Sequence, residues 1–270
     1  MWKELQKRID EIKVLRPQST EALDGFNELL EIIHSHRCNI EHPKLEREKV
    51  RIKAEEGFPL FPKDQIPFDL GCALGILEDL ILRHAENHDM IKDGIKKLKT
   101  ELEEAKSLFY GCLKNDQVVV RRWAEILKVS PEKLQSFSIY SLKPSIYRLR
   151  EKCTYFSYYK GWEWGYCPFC GSEPDISCFK DNGKRFLHCS LCGHQWEYPR
   201  VNCPFCQNKD QESLGYFFTD EEGLRVDFCK KCSRYIKNID RRILKEEFPL
   251  ELEFISTLYL DYLAQKEGFK

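Results

Sequence analysis

Tyr166-Cys167-Pro168-Phe169-Cys170-Gly171 opens a run of four C-x2-C pairs: Cys167/Cys170, Cys189/Cys192, Cys203/Cys206 and Cys229/Cys232. Eighteen residues lie between the first and second pairs, 22 between the third and fourth, and 10 between the inner two. The spacing reads as a duplication, with Cys167, Cys170, Cys189 and Cys192 in one unit and Cys203, Cys206, Cys229 and Cys232 in the next. Two cysteines three apart in a tight turn bring both sulfurs to one ion, and a second knuckle returned by a hairpin completes a tetrahedral shell. Pro168 and Pro204 fix φ within their turns, and Gly171 and Gly193 permit a left-handed backbone after theirs. Gln207 and Ser233 hold the equivalent places, so those two turns are expected to be less ideal. Four sulfurs suit zinc or iron, two ions per chain, and leave no open position of the kind a hydrolytic zinc site keeps.

The chain holds 13 cysteines in 270 residues. Met1-Trp2-Lys3-Glu4-Leu5 has no apolar stretch of signal-peptide type, which leads to the expectation of a cytoplasmic protein whose cysteines bind metal rather than form disulfides. Cys178 lies outside every pair and reads as a hairpin thiol, while Cys72, Cys112 and Cys153 read as small buried apolar residues. His188 and His194 flank the second knuckle as neighbours rather than ligands. His34, His36 and His42 resemble a metal cluster with Cys38 in composition only and are expected at a surface helix end.

Upstream the pattern is helical. Trp2, Leu5, Ile9, Ile12 and Leu15 recur at three- and four-residue steps until Pro17, and Leu23, Phe26, Leu29, Leu30 and Ile33 form a second stripe. Residues 43–56 are charged and helix-prone, and Gly57-Phe58-Pro59-Leu60-Phe61-Pro62 breaks the chain into a loop. Helices are expected over 69–90, over 91–113 with Ile95, Leu98, Leu102 and Leu108 as one buried stripe, around Trp123, from Ser130-Pro131 onward, and from Pro144 to about Tyr159. Phe186–His188, Tyr216–Phe218 and Leu224–Phe228 read as strands, with turns at Asp181-Asn182-Gly183 and Glu221-Glu222-Gly223. Residues 251–270 are helical again. The fold class is therefore α+β: a helical domain over 1–160, four-cysteine modules over 161–200 and 201–242, and a C-terminal helix over 243–270.

The formal net charge is -1. Residues 161–242 hold 12 Lys+Arg and 12 Asp+Glu. Nucleic-acid affinity rests largely on phosphate neutralisation, so a nucleic-acid-binding ribbon is disfavoured. Lys230, Lys231, Arg234, Lys237, Arg241 and Arg242 form a local basic run that reads as a solvated face or a patch for an acidic protein surface. No run of about 18 apolar residues is present to insert in a membrane. No nucleophile elbow, phosphate loop, H-E-x-x-H or dinucleotide fingerprint occurs, and the expected class is not an enzyme.

Tyr166–Pro174, Arg185–Cys192, Trp196, Arg200–Cys206, Cys229–Lys237 with Asp240, and Thr257–Leu263 with Gly268 together resemble the formate dehydrogenase accessory protein family, FdhE. The specific likeness covers about residues 160–268; upstream it reduces to the Gly57–Leu60 loop and helical character. The resemblance implies two tandem rubredoxin-like modules after a helical domain. It further implies a cytoplasmic maturation factor that binds the catalytic subunit of respiratory formate dehydrogenase and assists its loading or activation, with iron associated with the cysteines. A rubredoxin-like electron carrier and a zinc-ribbon nucleic-acid binder are the alternatives.

Overall fold

A computed structural model describes residues 2–41, 43–84, 89–180, 183–244 and 246–270. His42 and the Asp181-Asn182 part of the expected turn lie outside the described residues, as does the side chain of Trp2. The chain divides into two compact units: residues 1–28, 46–60 and 155–270 form one, and residues 29–45 and 61–154 the other. Residues 1–28 and 46–60, assigned from sequence to a helical domain, thus pack in the unit that carries the cysteine pairs.

The unit of residues 29–45 and 61–154 is helical. It contains the end of α2 (Thr20–Ser35), then α4 (Leu70–Arg83), α5 (Asp89–Thr100), α6 (Leu102–Lys114), α7 (Gln117–Leu127) and α8 (Pro131–Glu151), with α3 (Arg47–Glu55) belonging to the other unit. Caps written in the sequence set the starts. The Asp69 carboxylate accepts from Cys72 N–H, Asp116 from Val118 and Val119, and Ser130 from Lys133, each satisfying an otherwise orphaned amide. Leu74, Ile76, Leu77, Leu80, Leu108, Trp123, Leu142 and Ile146 are buried between these helices.

Two helix expectations are corrected. The stripe over 91–113 is interrupted at Glu101, and Leu102 is exposed. The Thr100 hydroxyl bonds back to the Lys96 and Lys97 carbonyls, a local bond that competes with helix continuation. Pro144 does not begin a helix but lies inside α8. Its missing N–H and ring cost the helix about 3 kcal/mol, yet Leu142, Ile146 and Leu149 are buried on both sides of it, and that packing holds the helix through. A short 3-10 turn, Phe156–Tyr159, replaces the expected helical end.

The other unit is built on six strands: β1 (Pro174–Phe179), β2 (Arg185–Cys189), β3 (Gln195–Tyr198), β4 (Leu214–Phe218), β5 (Leu224–Cys229) and β6 (Arg234–Asp240). The two three-stranded modules fuse into one sheet of order β3-β2-β1-β6-β5-β4. Each module is antiparallel within itself, and the seam is the parallel pair β1·β6, with Ile176 opposite Lys237 and Cys178 opposite Ile239. Ile176, Cys178, Leu224, Val226 and Ile239 make a core with Leu250 of α9 (Leu250–Ser256) and Leu260 and Ala264 of α10 (Leu258–Lys266). α1 (Trp2–Leu15) buries Ile9 and Ile12 in this same unit. Among the described residues no helix is long and apolar enough to cross a membrane.

Candidate metal centres

The four knuckles share one backbone. Cys167 N–H donates to Ser172 O, Cys189 to His194 O and Cys203 to Asn208 O, each at 2.9 Å, and Cys229 pairs with Arg234 in the β5·β6 ladder. The residue after each second cysteine is left-handed: φ is 73° at Gly171, 66° at Gly193, 57° at Gln207 and 55° at Ser233. Glycine takes that conformation freely, whereas Gln207 and Ser233 carry the cost of a Cβ there, about 1 kcal/mol each. The turn geometry is therefore preserved where the sequence is least suited to it.

These turns gather the eight cysteines into two groups, Cys167, Cys170, Cys189 and Cys192 in one and Cys203, Cys206, Cys229 and Cys232 in the other, with all sulfurs of a group within 4.8 Å of one another. The separations include 3.6 Å for Cys167–Cys192, 3.4 Å for Cys170–Cys189, and 3.7 Å for both Cys203–Cys232 and Cys206–Cys229. A tetrahedral ion with metal–sulfur bonds of about 2.3 Å places its sulfurs about 3.8 Å apart. Each group could hold a metal ion. The thiols alone are electrostatically frustrated. Burial pushes Cys167 and Cys192 up, while against the same desolvation the hydrogen bonds of Cys167, Cys189, Cys192 and Ser172 hold Cys170 well below the usual thiol range. A cation at the centre would stabilise the ionised form of all four sulfurs.

The first group is sealed. All four of its cysteines are buried. The Gly57–Leu60 loop lies against its first knuckle: Leu60 N–H donates to Pro168 O at 2.9 Å, Tyr166 Oη donates to Gly57 O at 2.6 Å, and Pro59 lies opposite the Cα of Gly171. His194 stacks on Phe156 with ring centroids 4.4 Å apart. The second group is open by comparison, with Cys206 exposed and Cys232 half-buried. Asn208 Nδ2 donates to Cys229 Sγ at 3.7 Å, and the Arg234 guanidinium lies 3.6 Å from the Phe205 ring centroid.

The modules are tied to each other by side chains that no motif announces. Buried Arg185 on β2 donates to Ser177 Oγ and Asn202 O and pairs with Asp227 on β5 at 3.3 Å. Arg234 forms a two-point pair with Glu173 at 2.7 and 2.8 Å. On the other face Lys237, 1% exposed, binds Asp261 at 2.7 Å and the Phe254 carbonyl at 2.9 Å. Buried Arg16 reaches Glu253 and Glu221, each at 2.6 Å, and so holds α1 to α9.

His188 pairs with Asp175 at 2.7 Å rather than joining a sulfur group. Cys178 is fully buried in the sheet core, and burial raises its thiol. Of the basic run, Arg234, Lys237, Arg241 and Arg242 are engaged by Glu173, Asp261, Glu247 and Asp240, while Lys230 and Lys231 are exposed. Cys38 and Cys72 correct the expectation of ordinary thiols. They form a disulfide, 34 residues apart in sequence, joining the loop after α2 to the first turn of α4. Neither has a partner at short spacing, so nothing in the sequence pairs them. His36 binds Asp79, and among the described residues the metal-suited groups are the two cysteine sets.

A helical unit, together with a fused sheet whose two groups of four cysteines could each hold a metal ion, defines a duplicated cysteine-ribbon protein. The family model "FdhE, central domain" matches residues 166–200. The protein FdhE homolog of Aquifex aeolicus is 30% identical over 280 residues, covering 99% of this chain and 93% of that one. The chain belongs to the FdhE family. Protein FdhE of Escherichia coli is 33% identical over 113 residues, 38% of this chain and 34% of that one. The crystal structure of the FdhE protein from Pseudomonas aeruginosa shares the fold, with a TM-score of 0.67 at 20% identity over 98% of this chain and 90% of that chain.

Proposed function

We propose that the chain is a cytoplasmic accessory protein for the assembly or activation of respiratory formate dehydrogenase, that it binds the catalytic subunit, and that it is not itself an enzyme. Cys167, Cys170, Cys189 and Cys192 hold one ion in the module of residues 161–200. Cys203, Cys206, Cys229 and Cys232 hold a second in the module of 201–242, each ion being zinc or iron. The observation that carries this reading is the pair of four-sulfur groups in a chain of the FdhE family. Four protein ligands close the coordination shell, which supports a structural or redox-sensing role over hydrolysis. The balanced charge of residues 161–242 supports a protein client rather than nucleic acid.

Deletion of the gene during anaerobic growth tests the reading, with loss of formate dehydrogenase activity and co-purification of the catalytic subunit as the expected results. Unchanged activity in the deletion strain overturns it. A second reading, a rubredoxin-like electron carrier, draws on the exposure of Cys206, because a surface residue in the shell of an iron ion would give a partner a short path to the metal. Anaerobically purified protein that is colourless and holds two zinc ions eliminates that alternative.

A further inference from the structure

The two ends of the fused sheet are defended differently. β3 carries Glu197, paired with Lys184, and such a charge discourages a further strand from pairing. β4 ends the sheet on the other side as Leu214-Gly215-Tyr216-Phe217-Phe218, with no charge, no proline and an unshifted register against β5. Its outward backbone N–H and C=O groups face no further strand of the sheet. Tyr216 is 54% exposed and Phe218 72%. Gly215 lets the Phe228 ring of the neighbouring strand pack directly over its Cα, because a Cβ there would lie 2.4 Å from that ring.

A groove of about 1420 Å³ adjoins this edge, walled by Phe217, Phe218, Ile243, Tyr259, Leu263 and Phe269. Its rim is acidic. Asp220, Glu222, Glu246 and Glu267 are exposed along it, against Lys230 and Lys266, while Arg16 is shared between Glu221 and the buried Glu253. Asp220 and Glu222 lie in the turn directly after β4, so the negative charge sits at one end of the open edge.

We propose that β4 and this groove form a docking site for an extended segment of a partner protein. The segment adds a strand to the sheet, places alternate apolar side chains in the groove, and sets Lys or Arg residues at the end that meets residues 219–223. The open edge supplies main-chain hydrogen bonds, the aromatic wall selects apolar residues, and the acidic turn fixes polarity. The surface is the place where the proposed function's client would be held, so its biological meaning rests on that reading, whereas its binding chemistry can be tested alone.

The full chain, purified with its metal, is titrated by fluorescence anisotropy with a labelled synthetic peptide in which leucine and threonine alternate and one end carries lysines. Saturable binding is expected, weakened about tenfold or more by Phe218→Lys. Asp220→Lys with Glu222→Lys should weaken the lysine-tagged peptide and favour one tagged with glutamates. A peptide with proline at alternate positions should not bind. These variants change exposed side chains, and unaltered thermal melting checks that each still folds. Binding indifferent to all three changes overturns the proposal. So does a wild-type dimer that Phe218→Lys converts to monomer, because the edge then serves a second copy. If the peptide binds as expected while formate dehydrogenase activity survives gene deletion, the docking site stands and the accessory reading falls.

Discussion

The two four-cysteine groups are copies of one turn placed in different surroundings. In the first, glycine occupies both left-handed positions, the Gly57–Leu60 loop lies against a knuckle, and every sulfur is buried. In the second, Gln207 and Ser233 hold the left-handed positions, and Cys206 is exposed. Identical sets of four cysteines therefore need not behave alike. Burial controls how readily a chelator, an alkylating agent or an electron-transfer partner reaches the sulfurs. The first group reads as the structural anchor of the sheet and the second as its exchangeable end.

The largest expected effect comes from breaking one group at a time. Cys189→Ser should lose one metal ion and unfold much of the sheet unit. A structural zinc site contributes on the order of 10 kcal/mol, as much as the whole stability of a typical domain. Cys206→Ser should also lose one ion but keep the near-UV dichroism of the remaining sheet. Metal analysis and thermal melts distinguish the two, and equal collapse in both variants would erase the contrast.

Metal removal gives the next effect. A chromogenic chelator should withdraw two ions in two phases, with iodoacetamide labelling Cys206 and Cys232 during the fast one. Mass spectrometry locates the label; release in one phase with uniform labelling contradicts the asymmetry.

Exchanging the turn residues should give smaller changes. Gly193→Ala should destabilise the first group by about 1–2 kcal/mol through its left-handed φ. Gln207→Gly and Ser233→Gly should leave the second group unchanged or up to about 1 kcal/mol more stable, since relief of strain is partly offset by glycine's entropy. Denaturant titration of the metal-loaded variants measures both. The most local effect belongs to Asn208→Ala, which removes the Nδ2 bonds to Cys229 Sγ and Ser213 Oγ and the Oδ1 acceptor of the Asp210 N–H; it should quicken metal release from the second group alone, with a stability loss of about 1–2 kcal/mol.

Much of the sheet unit was legible because its signals are local. A C-x2-C knuckle, the proline inside it and the glycine after it act over five residues, and three of the strands were visible as aromatic or β-branched runs. The helix starts at Asp69, Asp116 and Ser130 rest on side-chain oxygens that cap the amides two or three residues ahead. Pro144 misled because its cost is local while the burial that overrides it comes from distant helices. Cys38 and Cys72 were unreadable as a pair because 34 residues separate them.

The sequence by itself determined the helical and cysteine-rich character of the two parts, the eight grouped cysteines and their division into two sets of four, because each follows from spacing within a single hairpin. The tertiary structure alone decided that the modules share one sheet through β1·β6, that Arg185 and Arg234 bind one module to the other, that one group is sealed and the other open, and that the outer edge of β4 carries no further strand among the described residues. Those features depend on which surfaces meet when segments far apart in the chain pack together, and residue spacing carries no record of that.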